Sequence, residues 1–182
     1  IAVTALLPLI LFPLLKVMPI ADVGANYGSP IIFLFFGGFV LALALEKVNL
    51  HKRIALNIVK LTGATPEKVV LGFMLATAFM SMWISNTAST VVMLPIAISV
   101  IKLLIDDKDG FTKGDKNFAL SIMLGIAFAA NAGGIATVIG TPPNSVLIGL
   151  LENQYNIQIS FLTWMSFGLP FSILMIAAVY FV

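Results

Sequence analysis

Two groups of polar residues stand inside apolar runs long enough to reach through a membrane. Ser81, Ser85, Asn86 and Thr87 fall in the run from Val69 to Ile101. Gly140-Thr141-Pro142-Pro143-Asn144 falls in the run from Phe118 to Leu151. Backbone that is neither helix nor barrel is tolerated at membrane depth only where protein or a water-filled cavity surrounds it. Two broken helices meeting near the midplane are how many secondary transporters build a substrate and ion site. The residue types fit that chemistry. Ser81 lies four residues before Ser85, on one helix face, so Ser81, Ser85 and Asn86 can aim side-chain oxygens one way. Carbonyls freed between Gly133 and Gly140 can point back. Such a neutral oxygen cage suits a hard, weakly held cation, Na⁺.

The same breaks can hold an anion. Thr87 and Ala88 would open one helix, and another would begin near Pro143 and Asn144. Each start points N–H groups and partial positive charge into the site, which attracts anions without a basic side chain. Ser85, Asn86 and Thr87 add donors for a carboxylate.

What is missing narrows the chemistry further. No Asp, Glu, Lys, Arg or His falls between Val69 and Ile101 or between Asn117 and Leu151. Intramembrane carboxylates are the usual proton relays, so proton coupling through these segments is not expected. The one histidine, His51, lies in a basic segment and reads as a solvated interfacial residue. No zinc-protease motif and no intramembrane Asp pair is present, so the chain reads as no enzyme. Met93 and Pro95 read as packing and kink residues, and Trp83 as packing near the first break. Each polar group also has a plainer reading: Ser, Thr and Asn in membrane helices often only hydrogen-bond between helices, and Gly-Thr-Pro-Pro-Asn can be a structural kink.

The elements that must position these residues follow from composition. The 182 residues are 60% hydrophobic and 10% charged, with mean hydropathy +1.08. Soluble domains carry about 25% charged residues. An all-α polytopic membrane protein is expected, because the segments are continuous apolar runs and not the short alternations of a barrel. Cysteine is absent, which excludes disulfides and thiolate metal sites. A net charge of +2 gives no reason to expect nucleic acid.

Along the chain, 1–18 reads as a span kinked by Pro8 and Pro13, 19–30 as a loop, and 31–45 as a second span packed through Gly37-Gly38. Glu46 to Lys68 interleaves basic and apolar residues, as an interfacial helix does, ending near Gly63. Thr65-Pro66-Glu67 reads as N-cap, first-position proline and acidic first turn. Asp106 to Lys116 reads as a charged loop, Glu152 to Gln158 as a polar loop, and Phe161 to Val182 as a last span with Trp164 near an interface.

Charge placement sets the topology. Nine of the ten Lys and Arg lie in 47–68 and 102–116, with Lys16 apart. Cytoplasmic loops collect Lys and Arg, so Val69 to Ile101 should begin and end on one side. Val69 to Ile84 makes about 24 Å of helix and Ala88 to Ile101 about 21 Å, each short of the roughly 30 Å core. A re-entrant hairpin tipped by Ser85-Asn86-Thr87 satisfies both constraints; two short tilted spans are the alternative. Phe118 to Leu151 would be about 51 Å as one helix. It reads as a half-helix to about Ala132, an unwound middle, and a second half-helix from near Pro143. The domains expected are scaffold-type helices over 1–65, the hairpin over 66–105, and a transport-type broken helix with a final span over 106–182.

These motifs carry a family resemblance. Ser81-Met82-Trp83-Ile84-Ser85-Asn86-Thr87-Ala88 resembles the first hairpin motif of the divalent anion/sodium symporter family, and Gly133 to Asn144 resembles its first broken helix. Leu43 to Lys47 and Leu50 to Arg53 fit the preceding segments. The resemblance implies sodium-coupled uptake of di- or tricarboxylates such as succinate, malate or citrate, by a homodimer using an elevator motion in the cell membrane. It implies sodium at Ser81, Ser85, Asn86 and a glycine carbonyl at Gly134 or Gly140. It implies substrate at Asn86 and Thr87, with Thr141, Pro142 and Asn144 shaping the other side. Family members carry two inverted repeats, each with a Ser-Asn-Thr hairpin, whereas this chain has one. It is therefore expected to be a fragment lacking the first family helix, the second repeat and the second sodium site. The alternatives are a sodium-independent anion exchanger of the same family and a non-transporting membrane assembly subunit.

Overall fold

The computed structural model describes residues 2–63, 65–104 and 112–181. Among them every regular element is an α-helix: α1 Ala2–Leu14, α2 Ile20–Tyr27, α3 Pro30–Lys47, α4 Leu50–Thr62, α5 Pro66–Ser81, α6 Asn86–Leu104, α7 Lys113–Ile135, α8 Pro142–Tyr155 and α9 Phe161–Phe181. The chain forms two compact units, 1–37 and 38–182. By length and composition three stretches can cross a membrane: Ile20–Leu41, Lys113–Ile135 and Phe161–Phe181. Large apolar side chains such as Leu162, Leu174 and Phe181 face outward, as in a chain solvated by lipid. This is an all-α, multi-pass membrane protein.

In the first unit α1 carries Pro8 and Pro13 within its length, and the Tyr27 hydroxyl donates to the Ala5 carbonyl at 2.6 Å, tying α2 to α1. The segment 19–30, expected as a loop, is largely the short helix α2. Pro19 precedes its first residue and Asp22 lies in its first turn, both favourable at a helix start.

The second unit is built on α5 and α7. Small residues let the two backbones close, which is how helices associate where lipid is as apolar as the side chains. A methyl group on Gly125 would lie 3.0 Å from Met74 Cγ, and one on Gly133 would lie 2.3 Å from the Ala78 carbonyl oxygen. Residue numbers rise together along this contact, so α5 and α7 run parallel. α6 returns antiparallel, with Met93, Ala97 and Ile101 joining Val69, Phe73 and Ile122 in one core. The starts of α5 and α7 therefore lie at the same end of the unit, as the charge placement requires. α4 packs on α5 at Gly72, where a methyl group would meet Thr62 Oγ1 at 2.3 Å. α9 packs along α7.

Several boundaries differ from the sequence reading. The loop expected over 106–116 ends by Thr112, because Thr112 and Asp115 form a reciprocal capping box that starts α7. Residues 106–111 of that loop, and the side chain of His51, lie outside the described residues. α8 runs into the expected polar loop as far as Tyr155 and is closed by Asn156 in the left-handed region, φ 54°. The unwound middle is shorter than expected: α7 keeps Gly133 and Gly134, and the break is 136–141. Gly133 is there for close approach to α5 and does not mark unwinding. Trp164, expected at an interface, is buried against the break.

Candidate functional site

α5 ends at Ser81 and α6 begins at Asn86, so 82–85 is the tip of a helix-turn-helix. Ser85 starts α6 as a cap: its Oγ accepts from the Ala88 N–H at 3.2 Å. This puts Asn86 in the first turn, facing α7. The second break is equally well defined. Pro142 stands at the first position of α8, where its missing N–H costs nothing. Thr141 precedes it in extended backbone, φ −149° and ψ 140°, as a residue before proline should be.

The two breaks are tied to each other. The Thr137 hydroxyl donates to the Met82 carbonyl of the hairpin tip and accepts from the Gly140 N–H at 3.0 Å. Asn144 Nδ2 donates to the Gly134 carbonyl at 3.0 Å and the Thr137 carbonyl at 2.8 Å, and the Ser145 hydroxyl donates to the Val138 carbonyl at 3.0 Å. The Trp164 indole N–H donates to the Ile135 carbonyl at 2.9 Å, and Gly168 leaves room for that approach. Carbonyls that a break strips of helical partners are thus taken up by side chains, as low-dielectric surroundings require.

Between the breaks is a knot of oxygens. Ser81 is fully buried, and its Oγ lies 2.7 Å from both Asn86 Oδ1 and the Ala130 carbonyl. The same end of the Asn86 carboxamide lies 3.2 Å from the Ala130 carbonyl and 3.3 Å from the Gly140 carbonyl. Its other end, Nδ2, donates to Asn131 Oδ1 at 3.0 Å. In either orientation of its carboxamide, Asn86 presents this end to Ser81 Oγ and the two carbonyls: turned with nitrogen inward it would donate to all three, and turned with oxygen inward it adds a further acceptor. Two glycines make the closeness possible: a methyl group on Gly134 would lie 2.5 Å from Asn86 Oδ1, and one on Gly140 would lie 2.4 Å from the Gly134 carbonyl oxygen.

The structure therefore gathers Ser81, Asn86, Gly134 and Gly140 at one point. Ser85 is adjacent but exposed, with its Oγ engaged in the cap. The break in α5 after Ser81 ends the shared helix face that would have aligned the two serines. Thr87 and Pro142 are exposed and Thr141 is half-buried, at the starts of α6 and α8. Asn144 is buried behind the break, with its amide spent on two carbonyls. Trp83 is partly exposed beside the tip, and Met93 is fully buried in the core. Sequence reasoning did not select the Ala130 carbonyl, Asn131 or Thr137 for the site. An ordinary carbonyl leaves no trace in side-chain chemistry. Asn131 gave the one available signal, an amide in an apolar half-helix.

Known proteins resemble this chain along nearly its whole length. The citrate transporter family model, CitMHS, matches residues 1–182. A sodium-dependent dicarboxylate transporter, SdcS, of Staphylococcus saprophyticus is 44% identical over 182 residues, covering 99% of this chain and 35% of the relative. The protein of the same name in Staphylococcus aureus strain USA300 is 45% identical over 172 residues, covering 93% of this chain and 33% of the relative. The chain thus spans about a third of the length of these curated relatives. With the matched model reaching from end to end, and the hairpin and broken helix both formed, the chain belongs to the citrate transporter family, of the divalent anion/sodium symporter type.

Proposed function

We propose that this chain forms part of a sodium-coupled carrier that moves di- or tricarboxylates such as succinate, malate or citrate across the cell membrane. The observation that carries the reading is the knot of oxygens at the meeting of the two breaks. Ser81 Oγ, the Asn86 carboxamide and the Ala130 and Gly140 carbonyls converge there, and with the carboxamide oxygen turned inward they make a neutral oxygen cage. Sodium is the co-transported ion that this arrangement suits: neutral oxygens hold a hard monovalent cation without trapping it. Gly134 supplies the space for Asn86, and Ser85 supplies the cap that aims it. The relatives are named as sodium-dependent, which supports the same ion.

The anion is placed by the helix starts. Thr87 and Asn86 stand in the first turn of α6, and Thr141 and Pro142 at the start of α8. The N–H groups at the start of α6 and the Thr87 hydroxyl face a substrate carboxylate. The start of α8, where Pro142 and Pro143 have no N–H and the Asn144 N–H is taken by the Thr141 carbonyl, offers the Thr141 hydroxyl instead. The neighbouring cation offsets the charge brought in. Asn144 serves this side by fixing the break and not by direct contact. A second repeat of the same protein supplies the rest of the site, and two copies work as a homodimer with an elevator motion. The names of the relatives favour symport over sodium-independent exchange.

The test is uptake of labelled succinate by the complete transporter in proteoliposomes. Uptake should be strong with external Na⁺ and near background with choline; equal uptake in the two would reject symport.

A further inference from the structure

The break after α7 is capped in the one register that stops α7 from continuing. In an α-helix each carbonyl accepts from the N–H four residues on. Rewound past Ile135, the Gly134 carbonyl would accept from the Val138 N–H and the Ile135 carbonyl from the Ile139 N–H. Both carbonyls are already taken by side chains of α8 and α9. Asn144 Nδ2 donates to the Gly134 carbonyl at 3.0 Å, and the Trp164 indole N–H donates to the Ile135 carbonyl at 2.9 Å. Among the described residues, the Val138 and Ile139 N–H groups meet no acceptor. Val138 is buried, where an unpaired N–H is costly. Rewinding would pair both N–H groups, so a standing drive to extend α7 is opposed by two side-chain donors. Pro142 limits the extension, because Thr141 before it is held in extended backbone.

The break bears on the cage through Gly140. A methyl group on Gly140 would lie 2.9 Å from Gly134 Cα, so the chain folds back on itself there. Six residues of continuous α-helix advance about 9 Å along the axis. Rewinding would therefore carry the Gly140 carbonyl away from its place 3.3 Å from the Asn86 carboxamide. We infer that Trp164, together with Asn144, is a helix stop: its indole N–H holds the Ile135 carbonyl, so that α7 stays unwound and Gly140 stays at the cage. Trp164 is then a positioning residue that sets sodium affinity from α9 without touching the ion. It is buried, and Gly168 leaves it room, as a fixed donor needs. The inference rests on the sodium reading of the cage.

The experiment pairs two measurements on the purified complete transporter. One is amide exchange of residues 136–141; the other is half-saturating Na⁺, read from the rise in unfolding temperature at constant ionic strength with choline. In the wild type the Val138 and Ile139 amides should exchange faster than those of Ala129 and Ala130 within α7. Trp164→Phe keeps an aromatic ring and loses the donor. It should slow exchange at Ile139 severalfold and raise half-saturating Na⁺, by up to about tenfold for one lost hydrogen bond. Asn144→Leu should do the same with Val138. Phe167→Leu disturbs the ring packed with its centroid 4.9 Å from that of Trp164 but keeps the indole N–H, and should leave both readings near the wild type. A merely structural tryptophan gives the opposite sign, faster exchange in Trp164→Phe, and that result would overturn the stop. So would wild-type amides as protected as those of α7, an unchanged half-saturation in Trp164→Phe, an equal response in Phe167→Leu, or a Trp164→Phe protein that does not fold. A wild type with no Na⁺-dependent shift would instead remove the sodium reading and the role in ion binding with it, while the exchange data still decide the stop on their own.

Discussion

At the scale of single residues, the site depends on two neighbouring glycines with different neighbours. Gly133 faces backbone: a methyl group there would sit 2.3 Å from the Ala78 carbonyl oxygen and 2.5 Å from its Cα. Gly134 faces a side chain, with Asn86 Oδ1 at 2.5 Å and Asn86 Cγ at 3.2 Å. Backbone cannot step aside without separating α5 from α7, whereas a side chain can. Gly133→Ala should therefore fail as a fold, costing about 3 kcal/mol or more by overpacking and lowering the amount of protein in the membrane. Gly134→Ala should reach the membrane and unfold within a few degrees of the wild type, but lose Na⁺-dependent uptake because Asn86 is pushed from the cage. Immunoblots of membranes beside uptake assays separate the two; normal uptake in Gly134→Ala would remove the glycine from the account. The sequence made Ser81 and Asn86 legible because polar side chains in apolar runs need a reason. It left the Ala130 carbonyl illegible, since alanine announces nothing about which of its helical carbonyls faces a neighbouring oxygen. It misaligned Ser85, whose helix face held only if α5 continued past Ser81.

At the scale of elements, the two breaks are one structural object. Thr137 bridges them, donating to the Met82 carbonyl and accepting from the Gly140 N–H, and it is wholly buried. Valine has nearly the same shape and neither polar group. Thr137→Val leaves a buried carbonyl unpaired, which costs about 1–3 kcal/mol. The expected result is a lower unfolding temperature in detergent and a weaker response to Na⁺, since the hairpin tip is no longer held to the break. An unfolding temperature equal to that of the wild type would contradict the bridge. The elements were largely visible in advance: α3 to α9 all fall on runs or motifs marked out by apolar length, Pro66, Gly63 and Pro142. The break was read too long because Gly133-Gly134 looks like a helix breaker when its contact with α5 is not known. The short helix α2 was missed because a polar, glycine-containing segment between prolines has the composition of a loop. The capping box at Thr112 was overlooked inside a charged stretch for the same reason.

At the scale of the whole molecule, the second unit explains why both basic clusters lie together. α5 rises, α6 returns and α7 rises again, so Glu67 and Lys113 start their helices at the same end. From Phe118 to Asn131, the depth at which Asn86 meets α7, is about 20 Å of helix, two-thirds of a roughly 30 Å core. The tip of the helix-turn-helix meets α7 at that depth. The most direct measurement is the Na⁺ dependence of succinate uptake by the complete transporter carrying Ser81→Ala, which removes one oxygen from the cage. Half-saturating Na⁺ should rise by about tenfold while the unfolding temperature falls only slightly; an unchanged Na⁺ dependence would mean that the ion is held elsewhere.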